Sequence, residues 1–504
     1  MVIRKEFTVK YYLIIIFLIS FSLRVYTSFL GGQFFIVDEL RYRSGHHLLS
    51  FISDLNIKDA IIYIMNNPAH TLFIFFASIF ELFRYFIVYF FINSSIPPHE
   101  LNNTTIGISY SASLNSLFSS INIILIYSIV RSFGGHKIQA LFSSFFLLLS
   151  TTNFYFARHL VPYDIALTLS LTSFYFASLS NKGTSHQFTC GLFAGISTLT
   201  YFGYWPLSFT AWIVCLCRKK INIIKLAFWC SLGGLTPLLL LQLLGYSVGL
   251  NYLQNVWGFI LATQSNQMGD PNSGLKVFFD YMWETDNILF YFMLFFSVLS
   301  LFYIKLTNIF ILNHRSFGVL TSVLILSILF YLSQIEGNFV LYGRTVKMVV
   351  PFLCIACSYP LFVFFKINKS QTTSRLILIS FCILLICSIL NHNKVLNIVY
   401  PRNIKENAQK ISNDFEEFSS LSGKCVQKLE RRHTHTPYSL VNAQWLVPPI
   451  TKSVENIPKG KVLLKSLHPY SSFPPYLFLH YNNEERTIIQ NKDLEMLFIH
   501  KYEW

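Results

Sequence analysis

Apolar blocks of about 18 to 25 residues, nearly free of acids, recur along this chain, and a helix rising about 1.5 Å per residue needs that length to cross roughly 30 Å of hydrocarbon. The pattern predicts spans at 11–30, 107–130, 138–157, 162–180, 188–217, 224–246, 287–304, 317–334, 345–365 and 375–391. Two apolar segments read differently. Block 70–92 carries Glu81 and Arg84, which suits an interfacial or re-entrant helix better than a lipid-exposed one. Block 188–217 reads as two short helices going out and back, broken near the middle by Gly203, Tyr204, Trp205 and Pro206. From 392 onward the apolar runs shorten and charges of both signs appear. There Ile404, Ala408, Ile411, Phe415 and Phe418 recur at helical spacing, and KVLLKSL, PYLFLHY and RTIIQ are short β-prone runs.

Composition agrees with this pattern. Of 504 residues 53% are hydrophobic and only 12% charged, with a mean hydropathy of +0.48, whereas soluble domains carry roughly 25% charged residues. An ordinary soluble enzyme is excluded. The net charge of +15 comes from 39 basic against 24 acidic residues, but the basic ones gather in short groups between apolar blocks. Those groups are Arg4, Lys5 and Lys10; Arg131 and Lys137; Lys182; Arg218, Lys219, Lys220 and Lys225; Lys305 and Arg315; and Lys366, Lys369 and Arg375. They mark cytoplasmic loops rather than nucleic-acid contacts. The N-terminus has the basic-then-apolar order of a signal peptide, but its apolar run is long and no small-x-small cleavage site follows, so it reads as a retained first span. The expected fold class is therefore an all-α polytopic membrane protein with about 11 transmembrane helices and a small C-terminal α/β segment. Residues 1–391 would form the transmembrane unit, including an outer loop at 31–106, and 392–504 an extracytoplasmic domain. Of nine cysteines, all but Cys425 lie in apolar stretches, where a thiol behaves as a small hydrophobe. This includes the Cys354/Cys357 pair, and no disulfide framework is implied.

Three polar constellations fall on the outer side of this topology: Asp38-Glu39-Leu40-Arg41-Tyr42, Arg158-His159-Leu160-Val161-Pro162-Tyr163-Asp164, and Glu336 to Arg344. A solvated loop with weak surface ion pairs would also present the first, and arginines snorkelling to headgroups would also present Arg158 and Arg344. The same holds for Arg24, near the outer end of the first span. Asp164 is harder to explain in that way, because an acid at the mouth of a span is costly unless paired or wet.

The order of these features resembles a known family. Arg24 late in the first span, Asp38-Glu39-x-x-Tyr42, Pro68-Ala69-His70-Thr71-Leu72, the basic turn RSFGGHK, Arg158 to Asp164, LTYFGY, and Arg344 before a span containing Pro351 are together similar to the GT-C membrane glycosyltransferases. The likeness is greatest to the protein O-mannosyltransferase and aminoarabinose transferase group and its bacterial relatives acting on lipopolysaccharide core, and it covers roughly residues 5–365. Leu40, where the bacterial pattern has Ala, and Tyr201, where many relatives have Lys, depart from it.

The resemblance implies transfer of a sugar from a polyprenyl-phosphate-linked donor to an acceptor glycan, lipid or protein at the outer face of a cell inner (plasma) membrane. The donor already carries an anionic leaving group. The reaction therefore needs a carboxylate to take the acceptor proton and cations to hold the phosphate as its charge grows, an inverting single displacement. Asp38 is the expected base. Glu39 would orient the acceptor or share a proton, and Asp164 would hold sugar hydroxyls or join Asp38 around a divalent metal ion. Arg158 and Arg344 are the expected phosphate contacts, with His159, Tyr42 and Arg24 as further substrate-binding candidates. A transporter or lipid flippase without covalent chemistry is the alternative, although no paired halves are evident in the sequence; a purely structural subunit is a third. Glycosylation triplets at Asn93, Asn102 and Asn103 arise readily in Asn- and Ser-rich sequence, and a bacterial setting is preferred.

Overall fold

The computed structural model describes residues 2–28, 44–87, 90, 105–217, 222–265, 274–304, 312–336, 341, 343–367, 380, 382–392, 461–467, 487–490 and 497–503. Asp38, Glu39, Tyr42, the helical pattern at 404–418 and the PYLFLHY run lie outside the described residues.

The chain is mostly helical. In order the helices are α1 (Val2–Ser28), α2 (Ser44–Ser53), α3 (Ile57–Met65), α4 (Thr71–Ile87), α5 (Thr105–Ser132), α6 (Lys137–Leu149), α7 (Thr151–Tyr155), α8 (Tyr163–Ser178), α9 (Thr184–Thr200), α10 (Trp205–Leu216), α11 (Ile223–Tyr246), α12 (Tyr252–Ser265), α13 (Gly274–Asp286), α14 (Ile288–Phe302), α15 (Phe317–Phe330), α16 (Gly343–Val346), α17 (Val350–Ile367) and α18 (Cys382–His392). Among the described residues, four helical stretches are long and apolar enough to cross a bilayer: Tyr11–Ser28, Tyr110–Ser132, Ile223–Tyr246 and Phe317–Ile335. Leu239, Leu240 and Leu243 of α11 point outward, an exposed apolar surface of the kind a lipid bilayer would cover. In the C-terminal segment β1 (Lys461–Leu467), β2 (Thr487–Gln490) and β3 (Leu497–Glu503) pair antiparallel in the order β1-β3-β2.

Helix α8 is the centre of the bundle. Ile165, Ala166, Leu167, Leu171, Phe174 and Ala177 are all fully buried where it packs on α5, α9 and α10. Two expected spans are broken by the structure. Helix α6 stops at Leu149, where Ser150 turns extended and its hydroxyl caps Asn153 N of α7, and the Phe156–Arg158 turn follows. Helix α17 begins only at Val350, after the separate turn α16 and a bend at 347–349. Block 188–217 divides at Tyr201 into α9 and α10, with Pro206 in the first turn of α10, where its missing N–H costs nothing. In α4, Glu81 and Arg84 are buried and paired at 2.8 Å, and Ser111 of α5 donates to Glu81 at 2.8 Å. Their charges face protein.

The basic turns converge at one end of the bundle. The turn after α5 meets the one before α15 through His314 N donating to Phe133 O and Gln139 donating to His314 O. His136 stacks on Phe362 near Lys366, and Ser178 near Lys182 bonds Ser132.

Backbones touch where α9 crosses α11. A Cβ at Gly191 would lie 1.8 Å from Cys230 O, one at Gly233 2.0 Å from Phe188 O, and one at Gly195 2.4 Å from Gly234 O. Small residues at such crossings let dispersion and packing hold helices together where no hydrophobic drive exists between them. Gly191→Leu or Gly233→Leu should therefore separate the pair and lower stability by about 3 kcal/mol or more, beyond ordinary overpacking. Gly258→Ala, which meets open space, should be neutral. Thermal melting of the detergent-solubilised chain checks this, and a Gly233→Leu variant that melts like wild type contradicts the contact.

Candidate functional site

At the end of the bundle away from the basic turns, three helix breaks meet. Pro162, with φ of −73°, leads into α8 and puts Asp164 in its first turn, where the helix dipole favours an acid. The single turn α16 packs its Gly343 against the Tyr281 ring so closely that a Cβ would lie 2.3 Å away. The bend after α16 carries Lys347. Its Nζ donates to Asp164 Oδ1 at 2.6 Å and to Asn153 O at 3.2 Å, and both members of the ion pair are completely buried. Asp164 Oδ2 has no hydrogen-bond partner among the described residues.

Two guanidinium groups complete the charge. Arg24 of α1 is fully buried, donating from Nε to Ser119 Oγ at 3.1 Å and from Nη1 to Ser20 Oγ at 2.5 Å, with its Cζ 5.2 Å from the centroid of the Phe154 ring. It is near enough to interact electrostatically with both Asp164 and Lys347. Arg344 Nη1 donates to Tyr163 Oη at 3.1 Å, while its own carbonyl accepts from the Tyr204 hydroxyl at 3.0 Å. Among the described residues the cluster thus has three cations, Arg24, Arg344 and Lys347, to one carboxylate, Asp164, a surplus of two positive charges. His159 is buried, with its carbonyl held by Asn115 Nδ2 at 2.7 Å and its ring beside Tyr155. Arg158 is the last residue of the Phe156–Arg158 turn.

Sequence elements far apart meet here. Phe202 N of LTYFGY donates to Ala69 O in the Pro68–Leu72 element at 3.1 Å. The His70 ring stacks on Tyr201, which contacts Tyr163 and Tyr204 edge-on. Arg24, Arg344 and Asp164 are therefore brought together as candidates, and His159 borders them. Asp38, Glu39 and Tyr42 lie outside the described residues.

Lys347 and Asp286 were not legible as site residues. Lys347 lies inside an apolar window, three positions after Arg344, and an ionisable group there is itself a signal. Asp286 ends α13 and supplies an N-cap from another segment: Oδ1 accepts from Thr151 N at 2.6 Å and Oδ2 from Ser150 Oγ at 3.1 Å. It also lines a cavity of about 250 Å³ with Ser388 and Asn391. Burial pushes its carboxyl from the usual 3.8 up to about 6, against the hydrogen bonds from Thr152, Thr151 and Ser150, which favour the anion.

Removing Lys347 leaves Asp164 as an uncompensated buried charge, so Lys347→Met should cost about 3–5 kcal/mol. Adding Asp164→Asn should restore part of that loss, and a double-mutant cycle by thermal melting measures the coupling; strictly additive losses would show that the pair is uncoupled. For Asp286, the folded chain holds a proton between about pH 4 and pH 6 that the unfolded chain has released, so this residue's stabilisation, complete below that window, declines as pH rises through it. Relative to wild type, Asp286→Asn should gain on the order of 2–3 kcal/mol from pH 4 to pH 7. A constant difference in Tm across that range contradicts the raised carboxyl. No protein-family model and no curated protein sequence matches this chain.

Proposed function

We propose that this chain is a GT-C-type glycosyltransferase that moves a sugar from a polyprenyl-phosphate donor to an acceptor at the outer face of the membrane. The observation that carries the reading is the surplus of two positive charges among Arg24, Arg344, Lys347 and Asp164 at one end of an apolar bundle. A phosphate is the ligand chemistry that such a surplus suits. In this reading the chain crosses the membrane about eleven times, in keeping with the basic loops facing the cytoplasm. Its N-terminus is inside, and 392–504 forms an α/β domain outside.

The reaction is a single displacement. The acceptor oxygen attacks the anomeric carbon, its proton passes to the Asp38 carboxylate, and the bond from that carbon to the phosphate oxygen breaks. Polyprenyl phosphate leaves with one more negative charge. Arg344 and Arg24 stabilise that charge as it grows, in a site where low dielectric makes each interaction count for more than in water. Lys347 fixes the Asp164 carboxylate and leaves Oδ2 to accept from a sugar hydroxyl. With an ammonium 2.6 Å from Oδ1, Asp164 is poorly suited to a divalent cation, and no step uses one. Glu39 orients the acceptor, with Arg158, His159 and Tyr42 as further substrate contacts.

Membranes containing the chain, given polyprenyl-phosphate sugar labelled in the sugar, should pass label to an acceptor. Asp38→Asn should abolish transfer without changing protein level, and Arg344→Met should reduce it by roughly 10²- to 10³-fold, as loss of one charge-stabilising donor does elsewhere. Unchanged turnover in Asp38→Asn removes Asp38 as the base. Movement of intact labelled lipid between leaflets with no transfer overturns the enzyme reading in favour of transport.

A further inference from the structure

A second chemistry-bearing cluster lies at the opposite end of α9. Cys190 of α9, Cys215 of α10 and Cys230 of α11 are buried, and their three sulfurs lie within 4.8 Å of one another. Cys190 and Cys230 approach to 3.9 Å, and no disulfide links any of the three. The residues are 25 and 15 positions apart in the chain, so only the helix packing brings them together. Three thiolates bonded to one ion at about 2.3 Å would be separated by about 4 Å in a trigonal plane. One edge of this triangle already has that length, and small side-chain rotations close the other two.

The geometry points to a trigonal thiolate site for a soft d¹⁰ cation of the copper(I) class, formed by Cys190, Cys215 and Cys230. The donor set decides the class: thiolates select soft ions, and no His or carboxylate joins the group among the described residues. Zinc favours a fourth ligand; copper(I) does not need one. Beside the group the Ser173 hydroxyl donates to Cys190 O at 2.7 Å and lies 3.5 Å from Cys190 Sγ.

Packing alone accounts for small residues here, since Gly191 and Gly233 hold the α9 and α11 backbones in contact. It does not require sulfur at all three inward positions, where Ala or Ser would also fit. The site also sits at the basic end of the bundle, with Lys182 exposed just before α9 and Lys225 exposed in the first turn of α11. Positive potential there favours the anionic complex that forms as Cu–S bonds replace S–H bonds and each ionised thiol gives its proton to water. Tyr201, at the Asp164 cluster, is eleven residues from Cys190 along α9, roughly 16 Å. The two sites are separate.

The full-length chain, purified in detergent under reducing conditions, is titrated with copper(I) against a competing chelator. One equivalent should be retained, more tightly as pH rises. X-ray absorption of the wild-type complex should show sulfur neighbours only, at about 2.3 Å, the length of a metal–thiolate bond. Cys230→Ser should weaken retention on the order of 100-fold or more, above what losing a mere hydrogen-bond partner of a ligand costs, whereas Cys382→Ser, at an exposed position, should leave it unchanged. Absence of stoichiometric retention by wild type overturns the proposal even if the serine variant fails to fold. So do nitrogen or oxygen neighbours in the absorption spectrum, retention that survives Cys230→Ser, preference for zinc(II) over copper(I), or a Cys190–Cys230 disulfide in place of the metal.

Discussion

Asp164 and Lys347 form an ion pair that is sealed inside the protein. Each is completely sealed from water, and desolvating one such charge alone costs several kcal/mol. Their 2.6 Å contact offsets that cost only if both helix ends are held in register, so the pair ties the start of α8 to the bend before α17. It also fixes what surrounds it. Asn153 must present its carbonyl to Lys347, which requires α6 to stop at Leu149 and the chain to re-enter helix at Thr151. Replacing both charges with apolar residues of equal volume could cost little or even stabilise the fold. Their presence in an otherwise apolar bundle is therefore better explained by function than by stability.

The same end of the bundle carries the irregular backbone. In a bilayer every freed N–H and C=O must find a partner within the protein, and here the partners are side chains. Asp286 takes the first N–H of α7 and Ser388 bonds Leu149 O. Asn115 bonds the carbonyls of His159 and Val161, and Tyr204 bonds that of Arg344. Such breaks are tolerated at membrane depth where they are buried in protein or line a cavity. The polar cluster and the broken helices are thus one feature: the breaks free the groups that position the charges.

Much of the helical layout was legible because long apolar blocks leave few alternatives. The break at Tyr201 to Trp205 was legible too, since Gly203 and Pro206 announce it. The breaks at Ser150 and at 347–349 were not. Ser150 and its following threonines carry no Gly or Pro, and a hydropathy window averages across one extended residue. Lys347 was hidden by the apolar residues Met348, Val349 and Val350 that follow it. Arg24, Asp164 and Arg344 were visible because each stands out as a charge at the end of an apolar run. The thiol cluster was invisible for another reason. Its three members belong to three helices, and no spacing along one helix predicts which faces will meet.

A surplus of positive charge at one end of an apolar bundle, with Arg24 fully buried and Arg344 half-buried, suits an anion. The described carboxylate at Asp164 is already committed to Lys347, so among the described residues Arg24 and Arg344 make the local balance positive by two. Arg24 is met by serine hydroxyls and an aromatic face, and Arg344 donates to the Tyr163 hydroxyl. For Arg24, hydroxyls meet part of the donor set without neutralising the charge, and Nη2 has no hydrogen-bond partner among the described residues, which leaves Coulomb energy available to an incoming ligand. A phosphate that gains charge as its ester bond to a sugar breaks would draw more on that energy in the transition state than in the bound ground state. Interactions that strengthen in this way raise turnover, whereas equal stabilisation of both states would only tighten binding.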